Sequence, residues 1–253
     1  MTIAEIFYKS IFNDSEDLLT SDVFTVFRYL PPHLGIIRFI RSIDDLHKFI
    51  AEPDEKSTCE YYFWPLGLLL HREPDVLLEF QIDRKIYHVV VEVKYLSGPS
   101  EGEKKEEKVN GKMFKKGNQL ASQYKDLLKG EYQVKQIIDG KLKYSHKKLQ
   151  SKQEDRFEVY LTANLNQPEY ESNEFYERFD KNKDKLYWTN WYHVYDFFSD
   201  LVTERKNFPQ SLMILEVLAL LESKSFSSFK SIPKPPLLDL RNVSGAFWKK
   251  QEG

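Results

Sequence analysis

Three ionisable residues sit where a short stretch of chain can bring them together. Asp75 follows Pro74, and Glu92 and Lys94 flank Val93 at the end of an apolar run, Val89-Val90-Val91. A strand repeats every two residues, so Glu92 and Lys94 point the same way. Two carboxylates beside one ammonium, held on rigid strands, suit a hard divalent cation. Mg2+ takes oxygen ligands, commonly one or two carboxylates, and keeps several waters. A cation held in this way can bind a phosphodiester oxygen and lower the pKa of a bound water. Lys94 would then orient that water, act as a base if its own pKa is depressed, or stabilise the charge of the transition state. The plainer alternative is a salt bridge at a strand end, which any acid-x-Lys triplet can make.

The elements that must position these residues lie between Pro74 and Lys94. Residues 76–82 and 86–93 are rich in β-branched and aromatic side chains, and the polar Asp83-Arg84-Lys85 between them signals a hairpin. The run Val89-Val90-Val91 is apolar on both faces, as in a central strand covered on both sides. If Ile82 pairs with Lys85, opposed residue numbers sum to a constant and Asp75 falls opposite Glu92. A one-residue slip puts Asp75 opposite Val93 and on the other face, unless a bulge or bend near Pro74 restores it.

Pro74-Asp75 followed by Glu92-Val93-Lys94 resembles the signature of the PD-(D/E)XK nuclease superfamily, the restriction-endonuclease-like fold, with the proline included. The resemblance covers residues 13–163. It implies an α/β core in the order helix, three strands, helix, strand, with a mixed sheet and a helical C-terminal elaboration. Residues 1–166 would be the core and 167–253 the helical region packed on it. The activity implied is Mg2+-dependent hydrolysis of nucleic acid, DNA before RNA, with Mn2+ as a substitute metal, in bacterial defence or repair. Asp75 and Glu92 would be metal ligands, with the Val93 carbonyl available as a third. Many members carry an acid on the first core helix that reaches the metal site. Glu16 is assigned that role, with Glu60 and Glu73 as competitors. In one large branch the helix after the Glu-x-Lys strand carries a Gln, three residues, then a Tyr. Here Gln119 is followed by Gln123 at that spacing and Tyr124 comes one residue late, so either glutamine is a candidate to bond Lys94 or substrate. The alternatives are a catalytically silent binding or assembly subunit, and a helical interaction protein with a surface salt bridge.

The flanking chain fits around this core. After the cap residues Asn13-Asp14-Ser15, Leu18, Leu19, Val23, Phe24, Val26, Phe27 and Leu30 recur at helical spacing until Pro31-Pro32. Glu16 lies in line with that stripe, where an acid ordinarily complements the helix dipole. Residues 34–50 read as a strand or a helix pair, with Ser42 capping a short helix, and 61–70 as a strand beside the hairpin. Residues 97–117 are charged and glycine-containing and read as a mobile loop leaving the site. As a flap it would bring Lys112, Lys115 and Lys116 to phosphates. Asn118 then caps a helix bearing Leu120, Ala121, Tyr124, Leu127 and Leu128.

The basic region is 129–152, a hairpin turning at Asp139-Gly140. Its Lys141, Lys143, Lys147 and Lys148 either track a phosphate backbone or protect a sheet edge. A strand at 157–163 follows. From Pro168 onward the pattern reads as helical, with starts at Thr189-Asn190 and Phe208-Pro209.

Composition bounds the rest. The chain has 253 residues, 41% hydrophobic and with net charge −2, which suits one elaborated globular domain or two small ones. The single cysteine, Cys59, excludes an intramolecular disulfide and a cysteine-built zinc site. The N-terminus shows no secretory pattern and no apolar run is long enough to span a bilayer. The expectation is a cytoplasmic protein with no membrane partner, and a homodimer is compatible with it.

Overall fold

The computed structural model describes residues 16–95, 107–109, 112–114, 119–139, 141–169, 172, 175, 185–205 and 209–227. In chain order its elements are α1 (Glu16–Tyr29), α2 (Ile36–Arg41), β1 (Thr58–Phe63), β2 (Leu66–Gly67), β3 (Val76–Ile82) and β4 (Lys85–Lys94). There follow β5 (Glu107–Val109), β6 (Lys112–Phe114), α3 (Gln119–Lys129), β7 (Glu131–Ile138), β8 (Lys141–Lys148), β9 (Arg156–Thr162), β10 (Leu186–Asn190), α4 (Trp191–Glu204) and α5 (Ser211–Ser223).

The central hairpin forms in the register set by its turn. Ile82 pairs with Lys85 around Asp83-Arg84, and the ladder runs back to Val76 opposite Val91. Asp83 takes a positive φ of 54°, which aspartate tolerates better than most residues. β1 adds to β3 antiparallel, while β9 adds to β4 parallel and β10 adds to β9 parallel. The result is a mixed five-stranded sheet in the order β1-β3-β4-β9-β10. The chain is therefore an α/β protein.

The two faces of this sheet differ in chemistry. One face presents Val76, Leu78, Phe80, Val89, Val91, Val93, Phe157, Val159 and Leu161 to Phe24 and Phe27 of α1, Phe39 of α2, Phe198 of α4 and Ile214 of α5. The Phe27 ring lies 4.6 Å from that of Phe198 and 5.2 Å from that of Phe39. The other face carries Leu77 and Glu79 opposite Val90 and His88, with Asp75 just before β3 and Glu92 on β4 continuing that face beyond the ladder, and Arg156, Glu158 and Tyr160 on β9. It is covered by α3, whose Leu120, Tyr124 and Leu127 pack with Leu77, Val90 and Tyr132. Burial on both faces is why the β4 run shows no simple alternation.

Two buried polar groups pin α3 to its surroundings. Asp126 accepts the backbone N–H groups of Leu69 (2.9 Å), Leu70 (2.8 Å) and Arg72 (3.3 Å). Arg156 donates through Nη1 to the carbonyls of Leu127 and Leu128, and through Nη2 to that of Ser151. The helix ends at Gly130, whose φ of +71° suits glycine. The place a Cβ would take there is filled by the Arg156 guanidinium.

The C-terminal third differs from its helical expectation. Residues 186–190 form β10, the fifth strand of the sheet, before Asn190 caps α4 by accepting the His193 N–H. The cap pair Thr189-Asn190 is therefore also the end of a strand, and a five-residue strand carries too little pattern to stand out. Residues 34–50 hold α2 and a 3-10 turn at Leu46–Lys48; Ser42 bonds the Phe39 carbonyl at the end of α2 rather than capping a following helix. Within the charged insert, β5 and β6 form a short antiparallel hairpin rather than an unstructured loop. The cap residues Asn13, Asp14, Ser15 and Asn118 lie outside the described residues. Among the described residues no helix is long and apolar enough to cross a membrane.

Truncating Asp126 to alanine strands three backbone donors and loosens α3. Asp126→Ala should lower unfolding free energy by about 2–4 kcal/mol, read as a shift of the urea midpoint at constant slope.

Candidate functional site

The hydrogen-bonding parity of β4 decides what its end can offer. The Lys94 carbonyl accepts the Ala163 N–H at 3.0 Å, so even-numbered residues of β4 bond toward β9 and odd-numbered ones toward β3. In the hairpin register Val93 falls opposite Pro74, and proline has no N–H to give. The ladder stops at Val76–Val91, and the Val93 N–H turns to Asp75 Oδ2 at 2.7 Å. The Val93 carbonyl points to the same edge and has no Pro74 donor to meet it. The proline thus frees a backbone oxygen beside Asp75.

Glu92 lies on the face that Asp75 shares and is 2% exposed. Its Oε1 accepts from Gln119 Nε2 (2.5 Å) and pairs with Lys94 Nζ (2.8 Å), while Oε2 accepts from Gln123 Nε2 (2.6 Å). The two glutamines are four apart on α3 and reach one carboxylate together. Lys94 Nζ also donates to Glu16 Oε1 at 3.2 Å, and Glu16 Oε2 accepts the Tyr95 N–H at 2.7 Å. The first turn of α1 therefore reaches the site. Its competitors do not: Glu60 takes the Tyr62 hydroxyl, and Glu73 pairs with Lys135 at 3.0 Å. Asp75, Glu92, Lys94, Glu16, Gln119 and Gln123 are thus brought to one place.

Three carboxylates surround one ammonium. Burial, and next the charge of Glu92, push Asp75 well above the usual carboxylate range. Burial also raises Glu92, against the pull of Lys94. For Lys94 burial acts downward, but Glu92, Glu16 and Asp75 together outweigh it and hold the amine above its ordinary value. Lys94 is therefore a fixed ammonium in the metal-free protein. The role of a base with depressed pKa does not fit, because the surrounding carboxylates win over desolvation.

The donor chemistry suits a hard cation. Two buried carboxylates, Asp75 and Glu92, lie at one strand end beside the Val93 carbonyl. Among the described residues no three His, Cys, Asp or Glu side chains are arranged as a ready-made cage. Any cation there would draw a sparse protein set and keep waters, as Mg2+ does.

The basic residues are less united. Lys141, Lys143 and Lys148 are exposed on β8, the edge strand of a separate sheet in the order β2-β7-β8. Lys147 instead pairs with Glu79 at 2.9 Å and lies 4.9 Å over the Tyr62 ring, which removes it from the phosphate-contacting set. Lys112 falls in β6. Lys115 and Lys116 lie outside the described residues.

Two polar groupings on the same face were not singled out by spacing. His88, fully buried, contacts Ser151 Oγ through Nδ1 (2.7 Å) and Glu79 Oε2 through Nε2 (2.6 Å). Burial alone would raise Glu79, but His88 and Lys147 bring it down to about 2. Ser151 Oγ also takes a bond from Arg156 Nε and is buried, so this Ser-His-Glu chain ties elements together rather than presenting a nucleophile. The second grouping centres on Glu158, a lone acid in the apolar run of β9. An acid in an apolar strand was the available signal. Compared with known proteins, the chain matches no family model, no curated protein and no solved structure.

Folding raises the pKa of Asp75, so its ionisation opposes folding. That cost is absent when the carboxyl is protonated in both states and grows as pH rises past the unfolded value of about 3.9. Asp75→Asn keeps an acceptor for the Val93 N–H and removes the charge. In metal-free buffer it should stabilise the fold by about 1–3 kcal/mol at pH 7, and by much less near pH 4, in urea titrations at the two pH values.

Proposed function

We propose that the protein is a metal-dependent phosphodiesterase of nucleic acid, built on a restriction-endonuclease-like core of the PD-(D/E)XK kind. The observation that carries this reading is the convergence of Glu16, Asp75, Glu92, Lys94, Gln119 and Gln123 from three separate parts of the chain onto the end of β4. The order α1, then β1, β3 and β4 antiparallel, then α3 and a parallel β9, supports the same core. DNA as the preferred substrate, and a setting in bacterial defence or repair, follow from the resemblance of the motif alone.

Asp75, Glu92 and the Val93 carbonyl would hold Mg2+, or Mn2+ in its place. When bound, the ion would supply Lewis acidity to a phosphate oxygen and a water of lowered pKa. The chain's own residues do the rest. Gln119 and Gln123 hold the Glu92 carboxylate in one orientation. Glu16 and Glu92 keep Lys94 charged and aimed into the site, where an ammonium stabilises negative charge building on a phosphoryl group. Glu16 itself is anchored by the Tyr95 N–H, so Lys94 is positioned from both sides.

One observation favours a second reading. Both oxygens of Glu92 already have donors, so that carboxylate is satisfied without a metal. A catalytically silent binding or assembly subunit with this fold would look the same. Cleavage assays on single- and double-stranded DNA and RNA, with and without Mg2+, separate the two. The nuclease reading expects Mg2+-dependent cleavage that Asp75→Asn, Glu92→Gln and Lys94→Met each reduce by about 10²–10³-fold or more. Mg2+-independent binding by the parent with no cleavage of any substrate would select the silent subunit.

The basic hairpin gives a separate test. If Lys141, Lys143 and Lys148 touch phosphates, neutralising all three should flatten the slope of log affinity against log salt. The expected change is about 0.7–0.9 for each phosphate no longer neutralised. An unchanged slope with increased light scattering would assign these lysines to edge protection instead.

A further inference from the structure

Glu158 lies on the sheet face that carries Glu92. It pairs with Val90 on β4 and Leu186 on β10, and Tyr160, next along the same face, pairs with Glu92. Its side chain is fully buried, and neither carboxylate oxygen has a hydrogen-bond partner. Arg156, the cation two residues away on this face, is committed to Ser151 and to the carbonyls that end α3.

Among the described residues, Gln123 Oε1 and the Tyr132 hydroxyl are also buried without hydrogen-bond partners. α3 runs antiparallel to β9. Gln123 meets Glu92 at one end, and the Leu127 and Leu128 carbonyls meet Arg156 at the other. Glu158, between Tyr160 and Arg156, therefore lies beneath the 123–127 stretch. Its charge is felt by Tyr124 and Tyr132 and is itself opposed by Glu92.

One protonation state of Glu158 supplies the donor that Gln123 Oε1 lacks. An ionised Glu158 would leave three buried acceptor atoms with no donor, a costly arrangement in an apolar setting. A neutral carboxylic acid adds one O–H donor. That donor has Gln123 Oε1 to satisfy; the Tyr132 hydroxyl makes no bond to either Glu158 oxygen. We propose that Glu158 is a positioning residue: as a neutral acid it donates to Gln123 Oε1 and so fixes the Gln123 amide with its Nε2 on Glu92. Reversed, the amide would set an acceptor oxygen against a carboxylate. The consequence for metal binding rests on Glu92 being a ligand, as proposed above; the location of the proton does not.

The experiment compares Glu158→Gln, which keeps a donor, with Glu158→Leu, which does not. Difference infrared spectra of parent against each variant at pH 7 should show a protonated carboxylic-acid carbonyl band, shifted in D2O and lost in both variants. Mn2+ titration of the same proteins should show parental affinity in Glu158→Gln and a loss of about tenfold or more in Glu158→Leu. In a Gln123→Met background, where no amide remains to orient, Glu158→Leu should make no further difference. Absence of the acid band, or equal Mn2+ affinity in the glutamine and leucine variants of a metal-binding parent, overturns the proposal. A parent that shows the band and binds no Mn2+ would uphold the proton on Glu158 and reject the metal reading of Glu92.

Discussion

The burial of two carboxylates, Asp75 and Glu92, at the end of β4 is the constraint that the surrounding elements serve. Asp75, Glu92 and Glu16 bring three carboxylates to one ammonium, and isolated charges in such a place are costly. The fold compensates with Lys94, with the amides of Gln119 and Gln123, and with the backbone N–H groups of Val93 and Tyr95. Except for the Tyr95 N–H, each compensating group lies on β4 or α3, and α3 is locked at its far end by Asp126 and Arg156. Lys94 faces all three of these carboxylates. A site that keeps two carboxylates at raised pKa is poised to accept a cation, and this links the cost in stability to the proposed chemistry.

The sheet divides labour between its faces. The side against α1, α2, α4 and α5 is aliphatic and aromatic along β3, β4 and β9, and supplies the burial that stabilises the fold. The side beneath α3 carries Glu79, His88, Arg156, Glu158, Asp75, Glu92 and Lys94. Polar groups there are held by networks whose geometry depends on the first face being well packed. The strands alternate accordingly, but only the register shows which polar residues become neighbours.

Much of the site was legible because its geometry is local. A two-residue turn at Asp83-Arg84 fixes the register, and the register alone puts Asp75 opposite Glu92. Glu16 and the α3 glutamines could be named because helical spacing sets their face, although their meeting point depends on how two helices dock. What escaped is non-local or short. β10 is five residues long and shares Thr189 and Asn190 with a helix start. Lys147 looked like part of a basic stripe, and its capture by Glu79 is a contact between two different sheets. Glu158 sits in a run that reads as an apolar strand, and only tertiary burial shows that its oxygens have no donor. The function of Pro74, too, is visible only once the ladder is known to end beside it.

The most direct measurement is an anomalous difference map from crystals of the protein grown with Mn2+. A peak is expected at the end of β4, about 2.0–2.6 Å from oxygens of Asp75, Glu92 and the Val93 carbonyl, with water completing the shell. A map with no peak there at saturating Mn2+, and with Lys94 and both glutamines still closing over Glu92, would contradict the metal assignment.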